Sequence, residues 1–354
     1  MADARDVVVI GGGQAGLAAG YFLRRAKLDF VILDDQPEPG GAWRHYWDSL
    51  RLFSPAEYSP LPGWWMPRQP EEEFPPADHV VRYLADYEQR YQLPVRRPVR
   101  VEGVHDAGSW LTVQTDHEVW RAKIVISATG TWSAPYLPSY PGQGTFTGRQ
   151  LHTDAYRSPK EFTDQRVVIV GGGNSAAQIL AEVSTVADAT WATRRAPRLM
   201  PDDVDGRVLF DVATQREAAR RAGIPDTGGT RSLGDIVMVP SVLAARERGV
   251  LHAEPMFDRI TERGVAWDDG RELACDAIIW CTGFRPSLEH LAPLGLRLQD
   301  HAVPTEGARC LQEPRLYFLG YGDWTGWASA TLVGAGRTAK AAVAEIARQL
   351  EMAR

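Results

Sequence analysis

Asp6-Val-Val-Val-Ile10, followed by Gly11-Gly-Gly-Gln-Ala-Gly16, is the stretch whose reading settles the architecture. Four consecutive apolar residues after an acid predict a strand buried on both faces, the pattern of a parallel sheet covered by helices. The glycine run predicts a tight turn into a helix that reaches about Lys27, and a second apolar run, Phe30-Val-Ile-Leu33, ends at Asp34. In a βαβ unit of this kind Gly11 permits the turn, Gly13 lets the backbone approach a pyrophosphate, and Gly16 lets helix and strand pack closely. Asp34 stands where a carboxylate bonds ribose hydroxyls, and the helix N-terminus supplies positive potential for phosphates. A glycine turn alone also arises for conformational reasons. The strand before it, the helix after it and the acid closing the next strand select the dinucleotide reading.

The same grammar recurs at Arg166-Val-Val-Ile-Val170, Gly171-Gly-Gly-Asn-Ser-Ala176, a helix through about Val186 and a strand Ala189-Thr-Trp-Ala-Thr193. Here the strand delivers Arg194 and Arg195 instead of an acid. A guanidinium there accommodates a ribose 2′-phosphate that a carboxylate would repel, so NADPH rather than NADH is expected beside Gly171, Gly173, Asn174 and Ser175. From position alone the two arginines suit a solvated strand end equally well. Two such turns in one chain point to an enzyme holding a hydride donor and a hydride acceptor together. FAD is assigned to the earlier turn.

Three further segments fit a flavin. Gly40-Gly-Ala-Trp43, with Gly41 and Trp43 at its ends of interest, offers a glycine pair able to pass under an isoalloxazine with an aromatic beside it. Lys123-Ile-Val-Ile-Ser-Ala-Thr129-Gly130 and Asp276-Ala-Ile-Ile-Trp-Cys-Thr-Gly-Phe284 are apolar strands ending in Thr-Gly, as suits chain crossings between two domains. Leu316-Tyr-Phe-Leu-Gly-Tyr-Gly-Asp323 places an acid for the ribityl chain ahead of an Ala/Gly-rich helix from about 328 to 351. The expected class is α/β, with two Rossmann-like dinucleotide-binding domains and the NADPH domain, residues 157–279, inserted into an FAD domain of 1–156 and 280–354.

Composition narrows the classes. The chain has 354 residues, 44% hydrophobic and 24% charged, enough apolar content for a sizeable core. A net charge of -6 with scattered basic residues argues against a nucleic-acid partner. Three cysteines, Cys275, Cys281 and Cys310, support neither a disulfide framework nor a four-ligand zinc site, so no metal and a reducing cytoplasm are expected. Residues 7–23 carry five glycines and Gln14 and are preceded by Asp3 and Asp6, which disfavours a signal peptide or a membrane span. Among the twelve tryptophans, Trp43, Trp47, Trp64 and Trp65, with Tyr46, are candidate cleft walls, although core packing accounts for most aromatic residues. The Pro/Gly-rich residues 58–76 read as a lid or binding loop over substrate, and residues 202–230 as an insertion in the second domain.

These motifs resemble the flavin-containing monooxygenases, FAD- and NADPH-dependent enzymes, and more narrowly the short bacterial members, including flavoproteins of arsenic-resistance operons. The most specific element is Phe146-Thr-Gly148-Arg-Gln-Leu-His152-Thr-Asp-Ala-Tyr156, which matches the family's FxGxxxHxxxY fingerprint at every fixed position. It falls just before the second nucleotide strand, which places it at the domain hinge with His152 as a structural residue. Thr193-Arg194-Arg195 is similar to the family's 2′-phosphate motif, which favours NADPH. The resemblance extends the candidate flavin-binding set to Gln14, Ala15 and Val101. Larger members carry an asparagine near the flavin in a segment aligned with residues 52–56. This chain has Ser54 there, which either takes over a hydrogen bond to NADP and the oxygen intermediate or leaves that role unfilled.

The resemblance implies hydride transfer from NADPH to FAD, reaction with molecular oxygen to a flavin 4a-peroxide, and oxygen transfer to a thioether, amine or trivalent arsenic, or a Baeyer–Villiger insertion into a ketone. The protein's part is a dry pocket for a small-molecule substrate. Rival readings are a pyridine nucleotide–disulfide reductase, which needs a redox cysteine pair absent from the spacing of Cys275 and Cys281, an NADPH oxidase or reductase serving a protein partner, and a redox-sensing binding protein. A homodimer is left open.

Overall fold

The structure, a computed structural model, describes residues 3–70, 72–221, 234–326 and 328–352, excepting the side chains of 213, 214, 216–221 and 323. It folds as two units. One comprises Met1–His45, Ser54–Ala134 and Arg285–Arg354, the other Tyr46–Phe53 and Pro135–Phe284.

In the first unit the strand expected at Asp6–Ile10 runs from Asp3 to Ile10 and is central. It pairs in parallel with Phe30–Leu33 on one side and with Val119–Ser127 on the other, and the parallel set continues to Val95–Arg96 and to Leu316–Phe318 at its flanks. Val7, Val8 and Val9 are fully enclosed, each worth roughly 1.5–3 kcal/mol of burial. Val101–Ala107 and Trp110–Thr115 form an antiparallel meander leading into Val119–Ser127. Helices Gln14–Arg25 and Leu332–Met352 pack on each other, their Ala- and Gly-rich faces allowing close approach.

The second unit repeats the plan. Arg166–Val170 lies between Asp188–Thr193 and Ala277–Trp280, with Ala253–Pro255 and Arg149–His152 at the edges, and every pairing in this sheet is parallel. A three-stranded antiparallel sheet, Arg259–Thr261, Gly264–Ala266 and Glu272–Ala274, precedes Ala277–Trp280 as the meander precedes Val119–Ser127. The repetition therefore extends past the βαβ units to the order of strands around them.

The division departs from the expected boundaries of 156/157 and 279/280. The second unit starts at Pro135 and ends at Phe284, because strand Arg149–His152 hydrogen-bonds along Ala277–Trp280 and Ile260 N–H donates to Pro141 O at 2.8 Å. The fingerprint is thus an edge strand of the second sheet. Residues 46–53 also belong to this unit, with Trp47 enclosed among Tyr156, Phe162 and Trp191.

Candidate cofactor sites

The first turn is built by close backbone approach. Gly11 has φ of 106° and lies where any Cβ would meet the Ala128 carbonyl at 2.5 Å, so only glycine lets the crossing segment 128–130 pass beneath it. A Cβ on Gly16 would overlap the Gly11 carbonyl oxygen, which accounts for the third motif glycine. Gly41 brings its backbone against the Cα of Gly13. Trp43 donates its indole N–H to Gln14 Oε1 at 2.9 Å, and Gln14 Nε2 donates to Ala330 O at 2.5 Å. Ala15 abuts Gly320. Segments far apart in sequence therefore converge on the N-terminus of helix Gln14–Arg25, which has no acidic residue in its first turn to neutralise its potential.

Asp34 follows directly on the paired end of strand Phe30–Leu33 and is 3% exposed. Its Oδ2 accepts from Arg97 Nε at 2.7 Å. Burial raises its carboxyl above the ordinary value, opposed by Arg97 and the Gly12 amide. The adenosine ribose hydroxyls of FAD would donate to this buried carboxylate, and the N–H groups of the nearby helix N-terminus would donate to its diphosphate, so the residues present fit that group.

Thr129 lies in this unit with its hydroxyl on Ser287 O and the Tyr321 hydroxyl, both at 2.7 Å. Tyr321 reaches Ser127 Oγ at 2.5 Å, and Ser127 bonds His290 Nε2 at 3.0 Å. Desolvation pushes His290 down to about 4. None of Ser127, Ser287, Tyr321 and His290 was singled out by the sequence, because isolated polar residues in strands and loops carry no pattern. Val101 starts the meander and packs against the core cluster of this unit. Asp323 opens a short 3-10 turn, and its side chain lies outside the described residues.

The second turn reproduces the first with more room. Gly171, at φ of 139°, faces the Cys281 carbonyl as Gly11 faces that of Ala128, so Cys281 occupies the small-residue position beneath the turn. Trp191 donates its indole N–H to Gly171 O at 2.6 Å. A Cβ on Gly172 or Gly173 would meet nothing within 4 Å, and the third position accommodates a fully buried Ala176. Asn174 Oδ1 accepts from Val237 N–H at 2.8 Å, and Ser175 follows it in the first turn of helix Asn174–Val183, again free of acidic residues. Thr193 is buried at the strand end, whereas Arg194 and Arg195 are exposed, Arg194 reaching the Tyr140 hydroxyl at 3.3 Å. An open cradle at a helix N-terminus with two exposed guanidiniums beyond it fits a dinucleotide bearing a 2′-phosphate.

Other candidates take different places. His152 holds Asp154 through Nδ1 and Gly283 O through Nε2, the structural position expected of it. Ser54 is 3% exposed and shares a 2.8 Å bond with Ser59. Trp47 belongs to the second unit's core, Trp64 packs at a tilt against Tyr83, and Trp65 is exposed, which leaves Trp43 as the candidate tryptophan beside a nucleotide turn. The expected lid at 58–76 is pinned within the first unit: Leu61 N–H donates to the Tyr83 hydroxyl, which donates to Trp64 O, and the Tyr87 hydroxyl donates to Pro62 O, each at 2.7 Å. The insertion at 202–230 includes helix Gly206–Arg221, and its remainder from 222 lies outside the described residues.

All three cysteines are free, and burial pushes the Cys275 and Cys281 thiols up to about 12, so neither supplies the thiolate a disulfide reductase uses. Among the described residues no helix is long and apolar enough to cross a membrane.

Comparison with known proteins places the chain among relatives. Residues 8–217 match the family model described as pyridine nucleotide-disulphide oxidoreductase. The solved flavin-containing monooxygenase of Stenotrophomonas maltophilia is 51% identical with a TM-score of 0.90, covering 98% of this chain and 99% of that one. A double mutant of the Stenotrophomonas flavin monooxygenase is 52% identical at the same TM-score and coverage. An uncharacterized CzcO-like oxidoreductase of Geobacillus kaustophilus is 27% identical over 93% of this chain and 94% of its own length.

Proposed function

The chain belongs to the pyridine nucleotide-disulphide oxidoreductase family and, within it, to the flavin-containing monooxygenases, and from that premise we propose that it oxygenates a small soft nucleophile or a ketone at the expense of NADPH. FAD is held at Gly11, Gly13, Gln14, Ala15, Gly16, Asp34, Gly41 and Trp43, and NADPH at Gly171, Gly173, Asn174, Ser175, Arg194 and Arg195. The balance is substrate, O₂, NADPH and a proton giving oxygenated substrate, NADP⁺ and water. FAD at the first turn would supply the redox chemistry that links NADPH to oxygen.

The chain's own residues bind and orient. Each helix N-terminus neutralises a diphosphate, Asp34 fixes one ribose, and the paired guanidiniums of Arg194 and Arg195 receive the 2′-phosphate. Trp43, fixed by Gln14, presents an apolar face that excludes water beside the first turn. Ser54, in the segment where larger relatives carry an asparagine, is buried and engaged by Ser59, which itself donates to Pro55 O, so its hydroxyl is spent within the first unit. The observation that carries the reading is the pair of equivalent glycine turns, one closed by a buried acid and the other by two exposed arginines.

The test is turnover under ¹⁸O₂ with NADPH and a panel of an aryl thioether, a tertiary amine, arsenite and a cyclic ketone. The expected result is one ¹⁸O atom in a product for each NADPH consumed above background. Recovery of all NADPH electrons as hydrogen peroxide, with no labelled product across the panel, would establish an oxidase instead.

A further inference from the structure

Arg97 lies just beyond strand Val95–Arg96 and is enclosed, its side chain 9% exposed. Each of its three guanidinium nitrogens donates to a carboxylate. Nε donates to Asp34 Oδ2 at 2.7 Å, Nη1 to Glu88 Oε1 at 2.8 Å and Nη2 to Glu88 Oε2 at 2.9 Å. Glu88 comes from helix Ala77–Arg90, so the bridge joins three separate elements of the first unit. The backbone repeats the tie: Asp34 N–H donates to Arg96 O at 3.0 Å, and Val99 N–H donates to Asp34 O at 2.8 Å. A Cβ on Gly12 would stand 2.6 Å from Asp34 Oδ2 and 2.9 Å from Arg97 Nη2. The unassigned middle glycine of the motif is therefore required for the carboxylate and its guanidinium to close onto the turn.

Two carboxylates around one arginine leave a net negative charge in a low-dielectric place, an arrangement that costs desolvation and contributes little to stability. Its effect is geometric. A bidentate fork on Glu88 fixes the guanidinium plane, and that plane fixes which Asp34 oxygen is taken and which is left for another donor. Arg97 is the one side chain bonded to Asp34 among the described residues.

We infer that Arg97, oriented by Glu88, is a positioning residue that presents Asp34 Oδ1 to the adenosine ribose hydroxyls of FAD, and so sets affinity for the adenosine half of the flavin. The inference rests on the assignment of FAD to the first turn. Lysine at position 97 keeps the charge but lacks the fork that spans both carboxylates. Gln at position 88 keeps the shape and removes the charge.

The experiment strips the holoenzyme and titrates it with FAD and with an FAD analogue carrying 2′,3′-dideoxyadenosine, following flavin fluorescence. Wild type is expected to bind FAD at least about ten-fold more tightly than the analogue, the worth of hydrogen bonds to a charged acceptor. Arg97→Lys is expected to lose about ten-fold for FAD while the analogue changes less than about two-fold, and Glu88→Gln to shift in the same direction by a smaller factor. Equal losses for both ligands, or no loss for FAD, would overturn the inference and leave Arg97 a fold-stabilising residue. Failure of wild type to take up FAD at all would instead overturn the flavin assignment on which it stands.

Discussion

His290, Ser127 and Tyr321 form a buried chain of hydrogen bonds that ends on the half-buried Thr129, and its behaviour with pH is set by the imidazole. Burial lowers His290 from 6.5 to about 4, so the folded chain keeps it neutral where the unfolded chain protonates it. Stability from this group is complete above pH 6.5 and falls as pH drops toward 4, by about 3 kcal/mol at 1.36 kcal/mol per unit. Urea denaturation across that window should show the fall in wild type and a shallower slope in His290→Asn. Parallel slopes would mean that other groups carry the acid sensitivity. Arg194 and Arg195 belong instead to the proposed NADPH site. Their separate replacement by alanine should raise the KM for NADPH above that for NADH by about 1–3 kcal/mol equivalent in steady-state kinetics. Equal effects on both donors would remove the 2′-phosphate from their role.

Among the elements, residues 58–76 show why length and Pro/Gly content do not by themselves predict a lid. Three hydroxyl-mediated bonds from Tyr83 and Tyr87, with His79 Nε2 on Pro67 O at 2.8 Å, tie the excursion to helix Ala77–Arg90. Burial raises both tyrosine hydroxyls well above their usual range, so they stay protonated donors. Tyr83→Phe leaves Leu61 N–H and Trp64 O without that partner and should cost about 1–3 kcal/mol in chemical denaturation; Tyr87→Phe should cost about 1 kcal/mol. Unchanged midpoints would show the excursion held by packing alone. The nucleotide turns were legible because steric rules write them into the sequence: Gly11, Gly16 and Gly171 each face a carbonyl that excludes a side chain. Arg97 was not legible, since it sits in the run Arg96-Arg97-Pro-Val-Arg100, where nothing local marks which guanidinium will be buried. Ser127 and Tyr321 escaped for the same reason.

At the scale of the whole molecule, one architecture is used twice. A glycine-turn strand lies between its βαβ partner and a strand ending in Thr-Gly, with antiparallel strands, two in the first unit and three in the second, leading into the latter. Alternation of apolar runs and glycine turns disclosed both parallel sheets. The boundaries at 134/135 and 284/285 were hidden, because strand Arg149–His152 is too short to reveal its partner and pairing along Ala277–Trp280 is a long-range choice. The two turns differ in charge at the end of the second strand: a carboxylate there suits ribose hydroxyls, whereas two arginines suit a 2′-phosphate. Anaerobic titration of the purified protein with NADPH, followed at the flavin absorbance band, tests this most directly. One bound flavin per chain should bleach with one equivalent of NADPH. A colourless protein that takes up no FAD, or a bound flavin that NADPH leaves oxidised, would contradict it.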